Sequence, residues 1–338
     1  MHGNLLAISD TGQNRVFIWY NFQYTEQQVP NVVLGQLNAT DTGRNAGGLV
    51  DASSLLYPSG IWTNGEMLIV ADAWNHRVLI WHSIPTQHGQ PADVVVGQQN
   101  FTTAEPNGAG IGASPQADSL YWPYGVWCQN KALWIADTGN RRVLYFKTIP
   151  QQNGAKADGV VGQPDMHSRD YDPQHAIWPY SVKTGPHGEL LIADTQCFRL
   201  MLWQQWQNAL QGKSADVLIG QPGFDNNGQN QYGIQPGANT LNWIYDACFT
   251  REGIAVADTG NSRLMLWNVL PPNHNATANE VLGQPNFTTN GESSLSMKSK
   301  VENEMYWPFA LQYAAGYLIA ADTGNHRIIF FKDQKPKT

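Results

Sequence analysis

The stretch Leu318-Ile319-Ala320-Ala321-Asp322-Thr323-Gly324-Asn325-His326-Arg327-Ile328-Ile329-Phe330-Phe331 decides how the chain reads. Apolar β-formers run into a polar turn bearing Gly and Asn and then resume, the pattern of a β-hairpin. Its aspartate recurs at Asp10, Asp72, Asp137, Asp194, Asp258 and Asp322, at intervals of 62, 65, 57, 64 and 64 residues. An arginine follows each by five places, at Arg15, Arg77, Arg142, Arg199, Arg263 and Arg327. A hairpin returning at near-constant spacing specifies a repeat architecture.

Each repeat divides into four strand-like pieces. The first starts at an aromatic residue, as in Tyr57-Pro58-Ser59-Gly60, Trp122-Pro123-Tyr124-Gly125, Trp178-Pro179-Tyr180-Ser181, Trp243-Ile244-Tyr245-Asp246 and Trp307-Pro308-Phe309-Ala310. The second ends at the aspartate. The third starts at the arginine and closes on Trp19, Trp81, Phe146, Trp203, Trp267 or Phe331. The fourth is an aliphatic run ending in Gly-Gln, at Gly35-Gln36, Gly97-Gln98, Gly162-Gln163, Gly220-Gln221 and Gly283-Gln284. Six such units predict an all-β, six-bladed β-propeller of four-stranded antiparallel blades, one domain over residues 1–338. The chain resembles the NHL-repeat propellers, whose blades read Pro-x-Gly-Val and then Val/Ala-Asp-x-x-Asn-x-Arg-Val. The repeats here are longer, inflated by the loop after Gly-Gln, and Asp246 and Ala310 replace a glycine.

Strand counting leaves the first blade without its inner strand and the last without its outer one. Three readings fit. An upstream half-repeat completes the ring, a partner strand fills the open edges by strand exchange or self-association, or one blade is incomplete.

Composition bounds the function. Only 14% of the 338 residues are charged, and Gly (32) and Pro (19) suit many short strands joined by turns. A net charge of −7, with basic residues grouped only in the tail Lys332–Lys337, argues against a nucleic-acid partner. No apolar run reaches the length of a membrane span. No secretory signal precedes the first repeat, so the chain as given reads as cytoplasmic, or as periplasmic or secreted if a leading segment is missing. Cys128, Cys197 and Cys248 lack metal-type spacing and read as free thiols. Of the sequons at Asn38, Asn100, Asn275 and Asn286, two come from the Asn-Phe-Thr repeated after Gly-Gln, so the repeat accounts for them without glycosylation, and Trp203–Leu210 is expected to hold a short helix.

A residue present in every blade serves what every blade needs. The aspartate is expected to accept hydrogen bonds from turn amides, Gly or Asn to take the left-handed turn position, and the arginine to pair with a carboxylate or carbonyls. The resemblance likewise implies scaffolding. Function is then sought where blades differ. Ala73-Trp74 replaces Thr-Gly in the second repeat, and Gln196-Cys197-Phe198 replaces Gly-Asn-His in the fourth. Trp74 and Phe198 are candidate partner-binding residues on the face of the long loops. Arg141 lies between them in sequence, and the shortest loop, Pro164–Ile177, adds His167 and His175.

Along the first strands, Asp246 and Lys183 come from adjacent blades and form the candidate binding or acid–base pair. Some propellers related to the NHL proteins are amidating lyases or lactonase-type hydrolases that hold a metal with His, or with Glu, Asn and Asp. The inner strands here supply no His and one carboxylate, so neither metal nor cofactor is expected. His76 and His326 read as solvated turn residues. The reading is a non-catalytic protein-interaction scaffold. The alternatives are a lyase or hydrolase at the channel mouth and a glycan-binding propeller.

Overall fold

A computed structural model describes residues 1–24, 28–291 and 304–333. Most of the basic tail and part of the loop after Gln284 lie outside these residues. The first blade comprises β1 (Leu6–Asp10), β2 (Arg15–Trp19) and β3 (Val32–Leu34). The second comprises β4 (Pro58–Thr63), β5 (Leu68–Asp72), β6 (Arg77–Trp81) and β7 (Val94–Val96). The third has β8 (Pro123–Gln129), β9 (Ala132–Asp137), β10 (Arg142–Phe146) and β11 (Gly159–Val161). β12 (Pro179–Thr184), β13 (Leu190–Asp194), β14 (Arg199–Trp203) and β15 (Val217–Ile219) form the fourth, with the expected short helix α1 over Trp206–Leu210. The fifth has β16 (Ile244–Phe249), β17 (Ile254–Asp258), β18 (Arg263–Trp267) and β19 (Glu280–Leu282). The sixth has β20 (Pro308–Ala314), β21 (Tyr317–Asp322) and β22 (Arg327–Lys332).

These are the blades of a six-bladed β-propeller. Among the described residues the first blade lacks its first strand and the last its fourth, as strand counting predicts. The chain divides into two compact units, Met1–Asp170 and Tyr171–Thr338.

The second strand of the second blade is apolar on both faces because each face meets a neighbour. Leu68 and Val70 of β5 pack with Val16, Ile18 and Leu34 of the preceding blade. Ile69 and Ala71, pointing the other way, pack with Val126, Leu133 and Ile135 of the next. A period-2 strand buried on both sides must read as an unbroken apolar run, and Leu-Ile-Val-Ala does.

The repeated Asp and Arg stand opposite each other at the hairpin end, as in Asp72↔Arg77 and Asp137↔Arg142. Arg77 Nε donates to Asp72 Oδ2 at 2.7 Å, and both side chains are fully buried. The pairs Arg142–Asp137, Arg199–Asp194 and Arg263–Asp258 repeat this burial. The rest of each guanidinium reaches two loops. Arg77 donates to the Phe101 carbonyl in the loop after its own blade and to the Asp51 and Ser54 carbonyls in the loop before it. Arg142 does the same with Met166, Gln116 and Ser119. Burial pushes the carboxyls of Asp72, Asp137 and Asp258 up; the facing guanidinium and the donated hydrogen bonds pull against it.

Two expectations for the turn need correction. The carboxylate does not cap turn amides. Its Oδ1 takes the amide just before the leading aromatic, Leu56 for Asp72 and Tyr121 for Asp137, while Oδ2 takes the turn asparagine, Asn75 or Asn140. The left-handed position falls neither on Gly nor on that asparagine but one residue later. Asn14, His76, Arg141, Phe198, Ser262 and His326 have φ between 50° and 55°. Glycine is required at 139 for space, since a Cβ there would lie 2.6 Å from Tyr121.

The loops hold by a second repeated device. Asn45 and Asn75 exchange amide hydrogen bonds, as do Asn107 with Asn140 and Asn230 with Asn261. Three sequons are absorbed by the loop turns: the Asn38, Asn100 and Asn286 carbonyl oxygens accept from the threonine two residues on. The turns at Asn100 and Asn286 aim the next carbonyl, Phe101 or Phe287, at an arginine.

Arg142→Met leaves Asp137 buried without its counter-charge and is expected to destabilise by about 3–5 kcal/mol. Arg15→Met, beside the partly exposed Asp10, is expected to cost under about 1 kcal/mol. Denaturant titrations of the two variants check the contrast.

Candidate functional site

The two turns that break the repeat are each accommodated locally. Trp74 occupies the position where, in the third blade, a Cβ would lie 2.6 Å from the Tyr121 ring and carbonyl; in the second blade the corresponding residue is Leu56, whose carbonyl accepts from the Trp74 amide at 3.2 Å. The indole stacks on Tyr57 at 4.6 Å and 18°, and Nε1 donates to Tyr124 Oη at 3.3 Å. Trp74 is still 41% exposed. In the fourth blade, Cys197 stands where asparagine pairs with a loop asparagine in the second, third and fifth blades, and the loop preceding this blade in sequence, Pro164–Ile177, contains no asparagine. Loop and turn depart together. Phe198 is half-buried, its ring edge-on to Trp243 at 5.2 Å.

The other candidates scatter over the loops. Arg141 donates to the Arg169 carbonyl and so ties its own loop. His167 is exposed, its amide held by Asp165 Oδ1. His175 is half-buried, 3.8 Å from Asp172, and its carbonyl accepts from Arg199. Its Nδ1 is buried without a hydrogen-bond partner among the described residues, and burial, with Arg199 nearby, lowers its pKa against the pull of Asp172.

Lys183 and Asp246 do meet, with Nζ 3.2 Å from Oδ1. The carboxylate has further duties. Oδ1 accepts from its own neighbour's amide, Ala247, and Oδ2 accepts from the Leu311 amide of β20 at 2.9 Å. In the second blade the matching residue, Gly60, lies so near the adjacent first strand that a Cβ would sit 2.9 Å from the Val126 nitrogen. Asp246 therefore bridges by side chain a junction that Gly60 brings together by backbone. Cys248, two residues on, has its thiol pushed up to about 12, first by burial and then by Asp246. The three cysteines are buried free thiols.

The first strands carry a feature that period-2 reading missed. Each departs from its ladder by a bulge just after its first residue, as at Pro123/Gly125, Pro179/Ser181, Ile244/Asp246 and Pro308/Ala310. The residue skipped there is aromatic: Tyr124, Tyr180, Tyr245 and Phe309. A bulge re-aims its side chain, and in the second unit these rings meet. Tyr180 lies edge-on to Tyr245 at 4.6 Å, and Tyr245 stacks on Phe309 at 4.3 Å.

Isolated apolar residues at the crests of the long loops were missed as well. In the first unit Leu49 is 90% exposed and Ile111 65%; in the second, Ile234 is 94% exposed and Tyr232 70%. The signal was one apolar residue within a Gly/Asn-rich segment, as in Gly110-Ile111-Gly112 and Gly233-Ile234-Gln235. Among the described residues no three His, Cys, Asp or Glu side chains converge as metal ligands, and no helix is long and apolar enough to cross a membrane.

Both turn histidines read as solvated, and only His326 is. His76 is buried, and Nδ1 accepts the Trp122 amide at 3.1 Å, the role Asn14 Oδ1 plays for Tyr57. Burial lowers its pKa from 6.5 to about 4. The unfolded imidazole therefore takes a proton near pH 6.5 that the folded one refuses until about pH 4. Stability is expected to fall as pH drops through that window, by up to about 3 kcal/mol. His76→Asn keeps the acceptor without the titration and is expected to flatten that slope, as measured by denaturant midpoints from pH 7 to 4.

No protein-family model matches the chain, and no curated protein matches it. Many solved structures are similar to it, two of which follow. A streptogramin B lyase structure is 10% identical, covering 86% of this chain and 72% of that one, with a TM-score of 0.41. The WD40 beta propeller domain of Doa1 is 9% identical, covering 80% of this chain and 62% of that one, with a TM-score of 0.42.

Proposed function

We propose that the chain is an NHL-like propeller, one domain over residues 1–338, acting as a non-catalytic protein-interaction scaffold through its long inter-blade loops. The observation that carries this reading is the exposure of Leu49, Ile111 and Trp74 in one unit and of Tyr232, Ile234 and Trp243 in the other, on segments whose backbones are fastened by buried arginines and paired asparagines. Apolar side chains on loops that cannot collapse around them suit contact with another surface. Protein is the partner class, since the net charge of −7 disfavours nucleic acid. Trp74 and Phe198 serve as the aromatic contacts, and Arg141, His167 and His175 as polar ones.

An enzymatic reading rests on Lys183 and Asp246, and a glycan-binding reading on the rings of Tyr180, Tyr245 and Phe309. Both are weaker. The carboxylate is committed to the Ala247 and Leu311 amides, and the rings are largely engaged with one another.

The scaffold reading is tested by quantitative crosslinking in cells, with Leu49→Ser/Ile111→Ser and Trp74→Ala/Phe198→Ala compared with the wild-type chain. Specific crosslinked partners are expected to fall at least about fivefold with melting temperatures kept near wild type. Unchanged crosslinking in both double variants sinks it. Asp246→Asn removes the counter-charge of Lys183 and is expected to lower the melting temperature under either reading; the enzymatic reading requires a loss of turnover in addition.

A further inference from the structure

The fourth strand of a blade is an edge, and its outward amides and carbonyls invite pairing with other strands. Here the middle residue of that edge is clasped by the loop joining the third and fourth strands of the next blade. The Val95 amide of β7 donates to Asn153 Oδ1 at 3.0 Å, and the Gly154 amide donates back to the Val95 carbonyl at 3.1 Å. On β3 the same clasp is made by a histidine: Val33 N–H donates to His88 Nδ1 at 3.0 Å, and Gly89 N–H to the Val33 carbonyl at 2.9 Å. On β15, Leu218 N–H donates to His274 Nδ1 at 3.0 Å, and Asn275 N–H returns to the Leu218 carbonyl at 2.8 Å. The segments align as Ile84-Pro85-Thr86-Gln87-His88-Gly89, Ile149-Pro150-Gln151-Gln152-Asn153-Gly154 and Leu270-Pro271-Pro272-Asn273-His274-Asn275.

We propose that the His88 and His274 clasps are acid-released covers of the β3 and β15 edges, while the Asn153 clasp on β7 is a permanent one. An imidazole accepts at Nδ1 only when neutral, with its proton on Nε2; the imidazolium carries a proton on both nitrogens. Protonation thus sets a donor against the strand's own donor, and the strand amide loses its acceptor. Asparagine undergoes no such change.

Among the described residues no charged group offsets this. β3 presents only Val32, Val33 and Leu34, and the loop after it brings Leu37 and the Gln36 carbonyl to Gly89. His88's own loop holds His82 and Asp93, and Asp93 Oδ2 is engaged by the His82 amide. β15 is Val217, Leu218 and Ile219, and the loop of His274 between β18 and β19 has no charged side chain. The Phe224 ring stands edge-on to His274 at 5.9 Å; Arg199 lies over that ring and is held by Asp194. Both histidines are exposed and open to protons. Among the described residues neither pairs with a carboxylate, unlike His175 with Asp172.

Residue-resolved hydrogen exchange on the full chain tests the proposal, with protection factors corrected for intrinsic rates. From pH 7.5 to 5, protection at Val33 and Leu218 is expected to fall about tenfold while Val95 holds. His88→Asn and His274→Asn, which copy the natural Asn153, are expected to abolish the fall at their own strands. The proposal is overturned if all three amides move together, or if either variant keeps its fall. Should a variant fold poorly, the wild-type contrast of Val33 and Leu218 with Val95 decides alone.

Discussion

Everything in this molecule hangs on a carboxylate and a guanidinium taken out of water together. A buried ion pair is a poor source of net stability, because desolvating two charges offsets most of their attraction. Its value here is geometric. Asp72 reaches the start of its blade and the turn asparagine, while Arg77 reaches one loop before the blade and one after it. All these groups would otherwise be buried carbonyls and amides without partners. One pair therefore satisfies the backbone of three segments, so a long irregular loop can be fixed without a core of its own.

That arrangement explains what was legible in the sequence. The Asp-to-Arg interval is set by a three-residue 3₁₀ turn, and the unbroken apolar run before Asp72 is set by packing on both faces of its strand. Both are local or periodic constraints, so fold, strand order and the incomplete first and last blades could be read directly. The partners of the Asp and Arg could not. Leu56 lies 16 residues from Asp72, and Phe101 lies 24 from Arg77. Nothing in a residue's type says which distant carbonyl it will meet. The same holds for His76, whose sister position His326 is solvent-exposed; the His76 ring packs against Tyr121 and Trp122.

The candidate site was legible only in part, and the misses have a common cause. Lys183 lies five residues after its leading aromatic and Asp246 three after its own, on the first strands of adjacent blades, so the repeat brings them within reach of each other. The aromatic residues Tyr124, Tyr180, Tyr245 and Phe309 sit at bulges, where alternation fails and a side chain's direction cannot be counted off. Leu49 and Ile234 sit in loops built from successive left-handed residues, Asn45-Ala46 and Asn230-Gln231, where no periodicity exists at all. Period-based reading is silent where the backbone leaves its period.

Departures from a repeat carry two meanings, and the structure separates them. Cys197 replaces a turn asparagine opposite a loop that has none, so this change is one half of a matched pair and needs no ligand to explain it. Trp74 also has local partners, stacking on Tyr57 and donating to Tyr124, yet keeps 41% of its surface exposed. Packing accounts for why Trp74 is allowed and leaves its exposed face unexplained. An aromatic ring held in place by one neighbour and open on its other side is preorganised for contact, because little of its freedom is left to lose on binding. The weight of the functional argument therefore shifts from the broken turn of the fourth blade to the second blade, and from there to the loop crests of Leu49 and Ile111 in the same unit.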